Sequence, residues 1–142
     1  MTERYVLDTS ALVTLLEDEE GADRVASLMS LGDATLIPFV ALMEVYYVSL
    51  RKRGEDEAAR RYTLFRQSGA LVLWEVDDTT LVTAARLKAG HRLSLADAIV
   101  AAYAIRYNAA LVHKDPEFGP LADDVTLETL PYKPLTSRPE RP

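Results

Sequence analysis

Apolar residues in this chain recur at two spacings, and the alternation between them predicts strands separated by helices. Residues 4–8 read as a short buried strand around Tyr5-Val6-Leu7. Ala11, Leu12, Leu15 and Leu16 then repeat at helical spacing, and Ala22, Val25, Ala26 and Met29 form a second helical stripe. Residues 34–37 form a strand that Pro38 stops, and the same proline is well placed to open a helix over 39–52. That helix is almost wholly apolar until Arg51-Lys52-Arg53. Residues 55–68 form a charged helix with Ala58, Tyr62 and Phe65 on one face. The clearest strand is 70–76. Asp77 or Asp78 caps a helix over 79–89, Ser94 caps one over 95–107, and strands follow at 109–112 and 125–127. Gly32, Gly69 and Gly90 follow helical patterns and suit the left-handed position past a helix end. Strands alternating with helices, each strand continuously apolar, predict an α/β fold whose parallel sheet is covered on both faces.

Composition narrows the class. With 142 residues, 49% of them hydrophobic, the chain can bury one core without staples. We expect one domain over residues 1–130. Four of the seven prolines fall in 131–142, a stretch without apolar periodicity that reads as an extended or disordered tail. The absence of cysteine excludes disulfide scaffolds, thiol catalysis, zinc ribbons and iron–sulfur clusters. No basic-then-apolar leader and no 18-residue apolar run is seen, so a cytoplasmic protein with no membrane span is expected.

The informative feature is the position of four carboxylates. Glu44 is the only charged residue between Ile37 and Val48, and Asp97 the only one between Leu93 and Ile105. Asp8 ends the first strand, and Asp115 lies three residues past the strand 109–112. An ionised carboxylate taken from water without a partner costs several kcal/mol or more, so such groups face a cation, a base or a cleft. Each also has a structural explanation. Asp8 can cap the helix that follows, Ser94-Leu-Ala-Asp97 fits a capping box, and Asp115-Pro116 fits an N-cap with proline at the first helical position. Glu44 has no cap to serve; it can pair with a buried tyrosine hydroxyl or an arginine. Together, however, Asp8 and Asp115 lie at carboxyl ends of strands, where open parallel sheets place ligands. Four clustered anions repel one another unless divalent cations or shared protons intervene. All-oxygen ligation suits magnesium or manganese.

The ordered set Val6-Leu-Asp8-Thr9-Ser10-Ala-Leu, Glu44 in an apolar helix, Leu93-Ser-Leu-Ala-Asp97-Ala-Ile, and Leu111-Val-His-Lys-Asp115-Pro-Glu-Phe resembles the PIN-domain ribonucleases. More narrowly it is similar to the VapC-type toxins of toxin–antitoxin pairs, over about residues 4–127. The resemblance implies a three-layer α/β/α sandwich with a mostly parallel sheet of four to five strands. It places Mg2+ or Mn2+ on Asp8 and Asp97, with Glu44 and Asp115 completing the acidic pocket and Thr9 or Ser10 supporting it. One departure stands out. Where the family usually has Thr or Ser two residues before its last acid, this chain has His113, which can orient Asp115, ligate a softer metal, or simply line the strand end. His91 has no assigned role.

The implied reaction is metal-dependent hydrolysis of RNA, leaving 5′-phosphate and 3′-hydroxyl ends, with no protein nucleophile. The implied partners are an RNA substrate, an antitoxin whose segment enters the acidic groove, and a second copy in a two-fold dimer. Apolar surplus on the helices 39–52 and 55–68 suits a dimer face. A net charge of −6 argues against broad nucleic-acid binding, so local bases must serve: Arg51-Lys52-Arg53, Arg60-Arg61 and Arg66 as one rim, with Arg86, Lys88 and Arg92 elsewhere. Tyr46-Tyr47 reads as a core or dimer contact rather than a base-stacking platform. Two rivals are a PIN-like module without catalysis and an aspartyl-phosphate phosphatase. The second needs an acid two places after Asp8, where this chain has Ser10.

Overall fold

In the computed structural model, which describes residues 3–132, strands and helices alternate from the first turn. The order is β1 (Tyr5–Leu7), α1 (Thr9–Leu16), α2 (Ala22–Met29), β2 (Thr35–Pro38), α3 (Phe39–Arg53), α4 (Glu55–Arg66), β3 (Leu71–Leu73), α5 (Asp78–Gly90), α6 (Leu95–Arg106), β4 (Ala110–His113) and β5 (Leu127–Thr129). Short 3-10 turns at Gly32–Ala34 and Pro116–Leu121 complete it. The five strands pair in the order β3-β2-β1-β4-β5, all parallel.

Alternation along each strand sorts the core into two layers. Val6, Leu36, Leu73 and Leu111 face α5 and α6, while Leu7, Ile37 and Val112 face α1 to α4. Both layers are apolar, which is why the strands read as continuous hydrophobic runs. Tyr103, the bulkiest fully buried side chain, packs within α6 and donates its hydroxyl to the Glu75 carbonyl at 2.8 Å. The chain leaves β1 in one direction, through β2 and β3, and returns to β1's other side through β4 and β5. The reversal falls between β1 and β4, so a crevice opens beyond the carboxyl ends of those two strands.

Three expectations change. The strand expected at 70–76 pairs only over Leu71–Leu73, because its one neighbour, β2, ends at Pro38 opposite Leu73 and gives Trp74 no partner. The last strand begins at Leu127 rather than Val125, since its register sets Leu111 beside Leu127 and His113 beside Thr129. Gly69 takes the left-handed φ of +90° expected past a helix, whereas Gly90 has no positive φ and forms the last residue of α5. The tail expected over 131–142 lies, from residue 133 on, outside the described residues. Among those described, no helix is long and apolar enough to cross a membrane.

Helices α3 and α4 form an antiparallel hairpin clasped by a buried guanidinium. Arg61 donates to Glu57 at 2.8 Å, to Glu17 at the end of α1 at 3.1 Å, and to the Ser49 hydroxyl at 3.3 Å. Arg53 also binds Glu17, and Arg60 binds Glu57. The single basic rim expected on this hairpin is therefore divided: Arg53, Arg60 and Arg61 are spent on carboxylates. The pairs of Arg53 and Arg61 with Glu17 hold the hairpin to α1, while Arg60 pairs with Glu57 within α4.

Candidate active site

Asp8 follows β1 directly and caps α1. Its backbone N–H donates to the Val112 carbonyl at 3.0 Å, which ties it to the neighbouring strand β4 at the point of reversal. The side chain is buried. Oδ2 accepts from the Ser10 backbone N–H at 3.1 Å and the Ser10 hydroxyl at 2.6 Å. Ser10 Oγ in turn accepts from the Lys114 backbone N–H at 2.9 Å, so one hydroxyl joins the exits of β1 and β4. Asp8 Oδ1, by contrast, is buried with no hydrogen-bond partner among the described residues. Capping explains one oxygen of this carboxylate and leaves the other without an explanation among the described residues.

The remaining acids come from three other elements. Glu44, half-buried on the second turn of α3, accepts the Thr9 hydroxyl at 2.7 Å. Thr9 and Ser10 thus both support the cluster, one on each of two carboxylates. Asp97 is on the first turn of α6, where its backbone N–H donates to Ser94 Oγ at 3.0 Å. The capping interaction is made through the backbone, and the Asp97 carboxylate stays available. Asp115 caps the 3-10 turn after β4, with Oδ1 accepting the Glu117 N–H at 3.0 Å.

Among the described residues, one group of side chains has carboxylate oxygens close enough for a shared ion: Asp97, Asp115 and Glu117, within 4.8 Å of one another. Glu117 did not figure in the sequence reading. Its only signal was its place two residues after Asp115 in the same turn. Asp8 and Glu44 stand beside this group rather than inside it, and their proximity shows in the electrostatics. The Asp97 carboxyl is pushed up to about 7, first by burial and then by the charges of Asp8, Asp115 and Glu44. Burial is also the main cause at Asp8, which rises to about 6 against the opposing hydrogen bonds from Ser10. Two carboxyls so displaced mark a place that is short of positive charge. All-oxygen donors and an unpartnered buried oxygen fit a hard divalent cation such as Mg2+ or Mn2+.

His113 is fully buried, with both ring nitrogens engaged. Nδ1 accepts the Asp115 backbone N–H at 3.0 Å, which places the ring proton on Nε2, 3.1 Å from the Thr129 hydroxyl. Its ring meets Phe118 edge-on at 5.1 Å, and burial keeps its pKa below the usual imidazole value. Neither nitrogen is free to ligate a metal. The imidazole sets the direction in which the chain enters the Asp115 turn.

These shifts predict how metal-free protein responds to pH. A carboxyl whose pKa is raised on folding binds protons more tightly in the folded chain, so stability falls as pH rises through the window between its ordinary and raised values. For Asp8 and Asp97 that window runs from about 4 to about 7. His113, held neutral by burial, acts in the opposite sense, but only below about pH 6.5. Raising pH from 6 to 8 in a chelator is therefore expected to cost about 1 kcal/mol, allowing for solvent around half-buried Asp97. Thermal denaturation should show the loss, and saturating Mg2+ or Mn2+ should reverse it.

Comparison with known proteins agrees with this architecture. A family model described as PIN domain matches residues 5–123. No curated protein matches the sequence. Among solved structures, a chain of VapBC2 from Rickettsia felis, crystallised with a DNA fragment from their promoter, superposes with a TM-score of 0.72 at 17% identity, covering 89% of this chain and 98% of that one. A toxin–antitoxin complex from Klebsiella pneumoniae gives 0.69 at 18%, with 91% and 99% covered. Mycobacterium tuberculosis VapC20, described as a sarcin–ricin loop cleaving toxin, gives 0.67 at 16%, with 86% and 96% covered. At these identities the structures share a fold with this chain.

Proposed function

Because the chain belongs to the PIN-domain family, we propose that it is a Mg2+- or Mn2+-dependent endoribonuclease, the toxin of a toxin–antitoxin pair. The observation that carries this reading is Asp8 Oδ1, without a partner among the described residues and buried beside Asp97, whose carboxyl is raised to about 7 first by burial and then by the charges of Asp8, Asp115 and Glu44. Asp97, Asp115 and Glu117, together with the free Oδ1 of Asp8, would hold the cation, with Glu44 completing its negative surroundings. Once bound, the ion supplies an activated water near neutral pH and stabilises charge on the phosphoryl oxygens. The chain's own residues prepare the place. Ser10 holds Asp8 by one oxygen so that the other is presented, Thr9 holds Glu44, and His113 holds the turn that carries Asp115 and Glu117.

The partners follow from the same reading. RNA is the substrate. An antitoxin segment carrying an arginine would satisfy the acidic cluster in place of a metal, through charge-assisted hydrogen bonds. Met43, Tyr47 and Leu50 on α3 and Leu64 on α4 are exposed and apolar, which supports the hairpin as the face of a homodimer. We place the protein in the cytoplasm, where RNA and such a partner meet it.

Purified protein incubated with total cellular RNA provides the test. Cleavage is expected with Mn2+ or Mg2+, and none in a chelator, with product ends carrying 5′-phosphate. Cleavage that persists in the chelator, or intact RNA under every metal condition, would refute the assignment.

A further inference from the structure

Beyond the acidic crevice, the surface of α4 and the end of β3 carries a row of planar groups. Trp74, the only tryptophan of the chain, is 52% exposed and follows the last paired residue of β3. The guanidinium of Arg66 lies 5.1 Å from its ring centre and 5.8 Å from that of Tyr62, whose hydroxyl accepts from Arg66 at 2.9 Å. Tyr46 of α3 meets Tyr62 edge-on at 5.9 Å and closes the row. Tyr46 itself is half-buried, and its hydroxyl donates to Glu55 at 3.1 Å.

The charge on this row is what distinguishes it from an ordinary apolar patch. On the same hairpin Arg53, Arg60 and Arg61 are each paired with Glu17 or Glu57. Among the described residues no carboxylate forms an ion pair with Arg66. In an acidic protein it is held by aromatic faces, so its positive charge remains for an incoming anion. One exposed indole and a half-buried tyrosine ring, set about a planar cation with no carboxylate partner among the described residues, match the two repeating features of a single-stranded nucleic acid, stacked bases and phosphates.

Its location suits the crevice. Register sets Leu73 opposite Pro38, so Trp74 emerges at the same carboxyl edge of the sheet as Asp8, two strands away. At the usual strand spacing that is about 10 Å, less than the reach of about two nucleotides of extended backbone. We propose that Trp74, Arg66 and Tyr62 form a stacking platform that holds single-stranded RNA leading to the acidic crevice. This rests on the ribonuclease reading and adds a place outside the acidic crevice where the strand is gripped, through its rings and phosphates and with little regard to base identity.

The lone tryptophan reports on the platform directly. Metal-free protein in a chelator, titrated with dodecameric oligoadenylate, should show saturable quenching of tryptophan emission without cleavage. Anisotropy of the labelled oligonucleotide should weaken about tenfold in affinity for Trp74→Leu and recover for Trp74→Phe, since a smaller ring still stacks. Arg66→Lys should weaken binding although the charge is kept. An unquenched signal, or equal binding by wild type and Trp74→Leu, overturns the platform and leaves the row to a protein partner. Quenching by a protein that cleaves no RNA in Mn2+ supports the platform while refuting the ribonuclease, so the two failures are separable.

Discussion

Asp97→Asn is expected to lower metal-dependent RNA cleavage on the order of 10³-fold and, at the same time, to raise the melting temperature of the metal-free protein. The two changes have one cause. Asp97 is half-buried and feels the charges of Asp8, Asp115 and Glu44, and together these outweigh the Ser94 hydroxyl that favours its ionised form. Asparagine keeps the backbone cap on Ser94 and removes the repulsion together with the ligand. Asp8→Asn should also abolish cleavage. It too keeps the helix cap, because the asparagine amide oxygen can take the place of Oδ2 and accept both Ser10 donors, with the amide nitrogen where the unpartnered oxygen was. Cleavage rates and thermal denaturation in a chelator, measured on the same preparations, check both halves. An Asp97→Asn protein that loses activity and also loses stability would assign Asp97 to the fold instead.

The second large effect concerns a residue that touches no ligand. His113→Phe keeps a buried ring against Phe118 but leaves the Asp115 N–H and the Thr129 hydroxyl without their partners. Loss of such an orienting contact behind a metal ligand typically costs 10- to 100-fold in metal affinity or activity, and that range is expected here. His113→Asn, whose side-chain oxygen can accept the same amide, should recover part of it. A merely structural role would lower stability in both variants and leave the manganese affinity of the folded fraction unchanged. Binding isotherms alongside circular dichroism distinguish the two.

How much of this was legible in the sequence follows from what each residue needs to be recognised. Glu44 and Asp97 stand out because each is the lone charge in an apolar run, and such a run implies burial wherever it folds. Asp8 and Asp115 stand out because a strand with a known direction ends at each. The parallel sheet itself follows from the alternation of periods. Glu117 was hidden because it lies in a polar, exposed turn where an acid carries no desolvation penalty. The contact made by His113 depends on where one backbone N–H points, which no spacing of side chains encodes. The fate of the basic run depended on the α3–α4 hairpin. Only its crossing with α1 brings Glu17 to Arg53 and Arg61, leaving Arg66 to the aromatic row. The short β3 was hidden for a similar reason: strand length is limited by the neighbour, and Pro38 ends that neighbour early.

Calorimetric titration of Mn2+ into metal-free protein near pH 8, where the displaced carboxyls of Asp8 and Asp97 are ionised, addresses the convergence of the acids most directly. A saturable binding event in the wild type that disappears in Asp97→Asn is the predicted result. Indistinguishable isotherms for the two proteins would contradict it.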